Sequence, residues 1–271
     1  MSSPLAGRGT GIGWRPEIAG VAADLPGLRF TEVIAESLHS GVPPALSALA
    51  ERGVAVVPHG VKLSLGGTDE PDPGRVSHLA WCAEVLGAPL ISEHIAFVRA
   101  GGLEAGHLLP VPRTREQADV IVRNVLRVKE SVSVPIALEP IAALFSWPGD
   151  ELTEAEFLTD ILDRTGAWLL LDVANCYANA LNRGEDPLSS VERLPLERIA
   201  YMHVAGGRSA DGYYHDTHTD PVPREVLDLL KAIPGAPPAL LERDGAYPAA
   251  EVLKSELDAI SHACGHPVIT S

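Results

Sequence analysis

Short, wholly apolar runs alternate along this chain with longer segments of helical periodicity. Residues 11–14, 28–35, 54–57, 88–91, 134–138, 168–171, 199–202 and 238–241 predict eight strands. The run Trp168-Leu169-Leu170-Leu171 shows no polar alternation, the mark of a parallel strand buried on both faces. Between the strands, apolar positions at a period near 3.6 predict helices over 41–52, 74–86, 113–132, 152–165, 224–233 and 248–263. Thr114 with Gln117, and Thr153 with Glu156, have the spacing of capping boxes that open two of these helices. Gly53, Gly87, Gly166 and Pro234-Gly235 stand where helices should stop. Strand and helix alternate about every 30 residues, as βα units do. Eight such units in 271 residues predict a single (β/α)8 TIM barrel, the α/β architecture that typically takes about 250 residues. One domain, 1–271, is expected, with a core of about 11–263 and short tails, the last eight residues loose.

Composition narrows the class of function. A hydrophobic fraction of 46% suffices for one large core. The formal charge of −15, from 36 acids against 21 Lys plus Arg, argues against a nucleic-acid partner, which needs a basic footprint. Three cysteines, Cys82, Cys176 and Cys264, are odd in number and far apart, as in a reducing compartment. Residues 1–10 contain no apolar stretch of the signal-peptide kind, and no run approaches the ~20 apolar residues that span a bilayer. These features predict a cytoplasmic protein without a membrane partner.

The polar residues that end the apolar runs carry the chemistry. Six runs stop at a metal-competent side chain: His59, His94, Glu139, Asp172, His203 and Glu242. In a parallel barrel such residues converge on the C-terminal face of the strands, where active sites of this architecture lie. Asp216 and His218 follow in the loop after the His203 strand, and Asn175 offers an amide oxygen three residues past Asp172. So many imidazoles and carboxylates exceed what one zinc needs and suit two or three first-row ions, since carboxylates can bridge ions and offset their repulsion. Isolated histidines are ordinarily packing or surface residues, and His39, His78, His107, His262 and His266 are read so. Glu93 beside His94 reads as a hydrogen-bond acceptor, Glu36 as equally a structural one, and Cys176 as a small packed thiol. Trp147 and Tyr213-Tyr214 either line a substrate groove or pack. Gly11-Ile12-Gly13 and Gly66-Gly67 lack the spacing of a dinucleotide loop, and there is no GxSxG elbow.

The ordered series HGV (59–61) with SLG (64–66), SEHIAF (92–97), LLPVPRT (108–114), LEP (138–140), LLLDVANCYANA (169–180), MHVAG (202–206), DTHTDPVP (216–223) and LLERD (240–244) resembles the multinuclear non-haem iron-dependent oxidases of the methanobactin-biosynthesis type. The resemblance spans nearly the whole chain. It implies a barrel that holds two to three iron ions and uses O2 as co-substrate to modify a cysteine of a ribosomally synthesised precursor peptide. In many members a separate partner protein presents the peptide leader. Carried over by motif, the implied ligands are His59, His94, Glu139, Asp172, His203 and Glu242, with Asn175, Asp216 and His218 completing a third site. Asp172, His94 and Glu139 are the implied catalytic positions. The chain departs from the family pattern at Pro140, Ala174 and Arg183, where Asn, Asn and His are frequent. A reading from a different reaction class is a divalent-metal hydrolase or isomerase of the xylose-isomerase and endonuclease-four type. The acidic charge and the lack of a sugar-binding Lys near the site weigh against it.

Overall fold

The computed structural model describes residues 2–39 and 41–271; Met1, the first residue of the expected N-terminal tail, lies outside them. Among the described residues twelve strands are formed: β1 (Thr10–Gly13), β2 (Phe30–Ile34), β3 (Ala55–Gly60), β4 (Ile91–Ile95), β5 (Phe97–Ala100), β6 (Leu103–Leu109), β7 (Ile136–Pro140), β8 (Trp168–Asp172), β9 (Ile199–Val204), β10 (Gly206–Ala210), β11 (Tyr213–Asp220) and β12 (Ala239–Leu241). Eight of them close a parallel barrel in the order β1-β12-β9-β8-β7-β4-β3-β2, the expected TIM barrel. The other four form two antiparallel hairpins, β5 with β6 and β10 with β11. Both hairpins stand over the C-terminal mouth, after β4 and β9, and neither was expected from the sequence.

The helices are α1 (Ala19–Ala23), α2 (Pro44–Glu51), α3 (Pro73–Leu86), α4 (Arg115–Lys129), α5 (Glu154–Thr165), α6 (Val173–Arg183), α7 (Pro187–Glu192), α8 (Arg224–Ala232) and α9 (Ala250–Cys264). The six expected helices form as α2, α3, α4, α5, α8 and α9. Thr153 and Glu156 make the full reciprocal capping box at α5. At α4 only half of the box forms: Thr114 accepts from the Gln117 amide, while the Gln117 side chain donates to Gly66 O at 2.8 Å. Gly87 and Gly166 end α3 and α5 in the left-handed conformation that other residues adopt at a cost.

Several strands run past their apolar stretch and include the polar residue that ends it. In β4 the strand proper is Ile-Ser-Glu-His-Ile, and residues 88–90 belong to the connection. Register then sets the site: His94 pairs with Glu139, Asp172 with His203, and His59 with Ser92. The barrel lumen below is filled by Phe30, Val57, Leu90, Leu170, Tyr201 and Leu240, with Leu5 at the floor. Ser3 and Ile269, near the two ends of the described residues, are both anchored, contrary to the loose C-terminal tail expected. Ser3 Oγ donates to Ala200 O at 2.7 Å, and Ile269 is buried with its carbonyl accepting from Gly27 N at 3.1 Å. Burial of Leu5 and Ile269 compensates for the ordering of these ends. Among the described residues, no helix is long and apolar enough to cross a membrane.

Candidate metal centre

Because a β-strand alternates its side chains, the last inward position of each barrel strand points into the same mouth. His59, Glu139, Asp172 and His203 occupy such positions on β3, β7, β8 and β9, all at 1% exposure or less. His94 is the penultimate residue of β4, and Glu242 follows β12 directly. The hairpin β10–β11 folds over them and delivers Asp216 and His218. Gly206 makes that fold-back possible, since a Cβ there would collide with the carbonyls of Asp220 and Pro221. His218 sits at φ 53°, a strained conformation of the kind that concentrates at functional sites.

The ligand-bearing atoms form four interlocking groups, each within 4.8 Å: His59–His94–Glu139, Glu139–Asp172–His203–Glu242, Asp172–Asp216–His218 and His218–Glu242–Asp244. Glu139, Asp172 and Glu242 each belong to two groups, so carboxylates stand between adjacent candidate positions. Glu139 Oε2 lies 3.5 Å from His59 Nε2 and 3.4 Å from His94 Nε2, while its Oε1 is 3.3 Å from His203 Nδ1. His218 Nε2 is 2.8 Å from Asp216 Oδ2 and 3.3 Å from Asp172 Oδ2, and its Nδ1 is 3.1 Å from Glu242 Oε2. All eight charged or imidazole residues expected at the site are therefore in one cluster. Asn175 is buried on the same cavity of about 290 Å3, its Nδ2 donating to Pro140 O at 3.2 Å.

The donor set fits metal ions. Glu139 Oε2, Asp172 Oδ2, Asp216 Oδ1, His203 Nδ1 and His218 Nε2 are buried without a hydrogen-bond partner, for the close approaches among them are misaligned for hydrogen bonding. Orphaned buried polar atoms are costly, and several lone pairs aimed at one volume call for cations between them. Charge tells the same story. Burial opposes a proton on His94, yet Glu139 and Glu93 raise it to about 9. His203 and His218 are likewise pushed well up by Glu242 and neighbouring carboxylates against their desolvation. Burial lifts Asp216 to about 6 despite His218 beside it. Protons occupy the places that metal would take.

A layer beneath these residues was not singled out in the sequence. Glu32 of β2 is fully buried and its Oε2 lies 2.9 Å from His203 Nε2. Burial opposes its charge, but His203 and His59 hold it down to about 2. Glu32 sits in the middle of an apolar run, where a polar residue reads as solvent-facing alternation; only Glu36 at the end of that run drew notice. Asp244, within the LLERD motif, approaches His218 Nδ1 at 3.5 Å and accepts from Arg15 Nη2 at 2.7 Å. Its place two residues past Glu242 was the available signal. Glu93 accepts from the Leu63 and His94 amides at 3.0 and 2.8 Å, the acceptor role expected of it. Glu36 likewise accepts from Val61 N at 3.0 Å.

Other candidates fall outside the cluster. Cys176 is buried, and desolvation with nearby Glu154 and Asp172 raises its thiol well up, as a packed thiol should be. His78 contacts Ala35 O at 2.9 Å and stacks on Trp81, and His215 lies against Ala210 O at 3.2 Å. Trp147 and Phe145 meet edge to face at 5.4 Å beside a recess lined by Ile95, Pro110, Val111 and Pro140. Tyr214 packs edge-on against Tyr177 at 5.1 Å, whereas Tyr213 is exposed. Arg183 pairs with Glu154 at 2.9 Å, away from the cluster.

Solved structures share the architecture. Endonuclease IV from Thermus thermophilus superposes with a TM-score of 0.60 at 17% identity, covering 95% of this chain and 99% of that one. A xylose isomerase domain protein from Planctomyces limnophilus gives 0.59 at 16% identity, covering 94% and 96%. At such identities the likeness is one of fold. Among sequence relatives, a "UPF0276 protein" of Streptomyces avermitilis is 54% identical over 263 residues, 93% of this chain but 54% of the relative, so the chain spans about half that protein's length. A Caulobacter vibrioides protein of the same name is 32% identical over 258 residues, 92% of each chain. The family model described as "RiPP precursor modification enzyme MbnB/TglH/ChrH" matches residues 9–264.

Proposed function

This chain belongs to the MbnB/TglH/ChrH family of RiPP precursor modification enzymes, and on that premise we propose that it is an iron- and dioxygen-dependent oxidase acting on a cysteine of a precursor peptide. The observation that carries the multinuclear part is Glu139, which turns one carboxylate oxygen to His59 and His94 and the other to His203. A carboxylate so placed can bridge two ions. His59, His94 and Glu139 would hold one; Glu139, Asp172, His203 and Glu242 a second; Asp216 and His218 with Asp172 and Asn175 a third. Iron bound there would supply dioxygen activation and one-electron redox chemistry, which the side chains themselves lack.

The chain's own residues bind, orient and shield. Leu108, Ile141 and Ala142 give the mouth an apolar rim that would exclude water around an entering cysteine side chain. The adjoining recess beside Phe145 and Trp147 would seat residues flanking that cysteine. Cys82, Cys176 and Cys264 are all buried, which supports a reacting sulfur supplied by the peptide rather than by the chain itself. A separate leader-presenting protein and a cytoplasmic setting belong to the same proposal.

The test is elemental analysis and Mössbauer spectroscopy of protein purified anaerobically with ample iron. More than one iron per chain, with a mixed ferrous–ferric signature, and oxygen consumption that depends on a cysteine peptide are the expected results. Zinc or manganese retained in place of iron would overturn the oxidase and favour the hydrolase or isomerase class.

A further inference from the structure

We propose that Glu32, Tyr201 and Ser92 form a directional hydrogen-bond relay that sets the ring tautomers of His59 and His203 together, turning a lone pair of each imidazole to the metal cavity. The inference rests on the metal-centre reading above and concerns residues to which no role has been assigned.

Four contacts make the relay. His59 Nδ1 lies 2.8 Å from Ser92 Oγ, and Tyr201 Oη lies 2.8 Å from the same oxygen. Tyr201 Oη is 2.5 Å from Glu32 Oε2, which also contacts His203 Nε2 at 2.9 Å. Glu32, Tyr201 and Ser92 are all fully buried, so no water competes for these groups.

Counting protons gives the direction. Tyr201 has one hydrogen and two oxygen neighbours. The 2.5 Å contact has the length of a hydroxyl donating to a carboxylate, so that hydrogen goes to Glu32. Ser92 must then donate to Tyr201, which leaves its oxygen to accept from His59 Nδ1–H. On the other side, a carboxylate oxygen can only accept, so His203 donates from Nε2. Every arrow ends on Glu32. Once metal displaces any proton on the cavity side, His59 is left with its lone pair on Nε2, on the side of Glu139, and His203 with its lone pair on Nδ1, on the side of Glu139 and Glu242.

The opposite direction would put a hydrogen on His59 Nε2, where the nearest carboxylate oxygen, Glu139 Oε2, lies 3.5 Å away and forms no hydrogen bond with it, a poorer arrangement than the 2.8 Å contact of Nδ1 with Ser92 Oγ. Metal-binding imidazoles commonly have the outer nitrogen held by a carboxylate or another acceptor. Here one carboxylate serves two imidazoles from different ligand groups, one directly and one through two hydroxyls. Glu32, Tyr201 and Ser92 are thus positioning residues.

The relay predicts an asymmetry that packing alone would not. Tyr201→Phe cuts it in the middle. Ser92 is then free to donate to His59 Nδ1, which drives the ring hydrogen to Nε2, while His203 keeps its direct contact with Glu32. Zinc titration of the metal-free full chain, with long-range 1H–15N correlation spectra of 15N-histidine-labelled zinc-loaded protein, reads both ends. Wild type should bind zinc through His59 Nε2 and His203 Nδ1. In Tyr201→Phe, zinc should bind about ten- to a hundred-fold more weakly at the His59–His94–Glu139 group, with the His203 pattern unchanged. Ser92→Ala leaves Tyr201 on Glu32 and guards against a folding defect in the phenylalanine variant. It removes the His59 acceptor and should weaken the same group. Wild-type affinity and ring pattern in both variants would overturn the relay, as would equal weakening of both groups in step with a lower melting temperature. Failure of the wild-type protein to bind any metal would instead remove the metal-centre reading, and the relay with it.

Discussion

At the level of single residues, Glu139 and Asp172 do different work with the two oxygens of one carboxylate. Glu139 faces candidate positions on both sides, so Glu139→Gln should lower metal content at two positions together, whereas His59→Ala should lower it at one. Metal per chain by elemental analysis separates these outcomes, and equal losses would refute the bridging role. Asp172 Oδ1 accepts from the amides of Ala174 and Asn175 at 2.7 and 3.0 Å, capping α6, while Oδ2 points unpaired toward His218. Asp172→Asn can retain the cap through its amide oxygen and loses the charge that faces the cavity. Metal content should therefore fall while the melting temperature of the metal-free protein stays near wild type. Asp172→Ala loses the cap as well, at about 1 kcal/mol of stability. A substantial destabilisation of metal-free Asp172→Asn would show that the carboxylate's charge also holds the fold.

At the scale of elements, the site depends on a scaffold and an arm with distinct origins. The barrel presents His59, Glu139, Asp172 and His203 from strand ends, whereas Asp216 and His218 ride on the hairpin β10–β11. Asn182 of α6 clamps that hairpin, donating to Tyr214 O at 2.9 Å and accepting from Tyr214 N at 2.8 Å. Gly206→Ala should displace the arm without opening the barrel. Far-ultraviolet circular dichroism would remain near wild type, and metal bound by the Asp172–Asp216–His218 group would be lost. Retention of all metal in that variant would remove the arm from the site. The difference in origin explains what could be read in advance. A barrel strand must be apolar until it reaches the mouth, so the polar residue that ends each run is visible in the sequence; six of the eight acidic and imidazole candidates are legible that way, and Asp216 and His218 only as a cluster in the segment after the His203 strand. The hairpins escaped notice because they are exposed and lack a buried apolar stripe: Leu103 of β6 is 78% exposed, and β10 begins Gly-Gly-Arg-Ser. Helix α6 starts directly after the last residue of β8, with no intervening loop, and carries three asparagines, so neither spacing nor propensity marked it. Glu32 was hidden in mid-strand, since only closure of the barrel brings its side chain to a histidine of the non-adjacent strand β9.

Taken as a whole, the molecule concentrates acidity where it matters. The chain carries −15 overall, and its mouth gathers Glu139, Asp172, Asp216, Glu242 and Asp244 around four imidazoles, with Glu32 buried beneath and Arg15 reaching Glu242 and Asp244 from the side. Without metal, that excess favours protons on His94, His203 and His218, and this sets a sign for pH dependence. His94 is free to gain a proton near 6.5 in an unfolded chain and near 9 in the folded one, where Glu139 and Glu93 overcome its burial. A raised folded value means that the ion-paired histidine stabilises the metal-free protein fully below about pH 6.5, and that this contribution is lost as pH rises through about 9. His203 and His218 are shifted in the same direction. Metal must displace these protons, so uptake at pH 7 should release them, and apparent affinity should climb between pH 6.5 and 9. Calorimetric titration of zinc in two buffers of different ionisation enthalpy counts the protons directly. Release of at least one proton per ion at pH 7, with a metal-free melting temperature that falls toward pH 9, is the expected result. Uptake without proton release would mean that the imidazoles are already neutral, and that the carboxylates of the mouth are balanced in some other way.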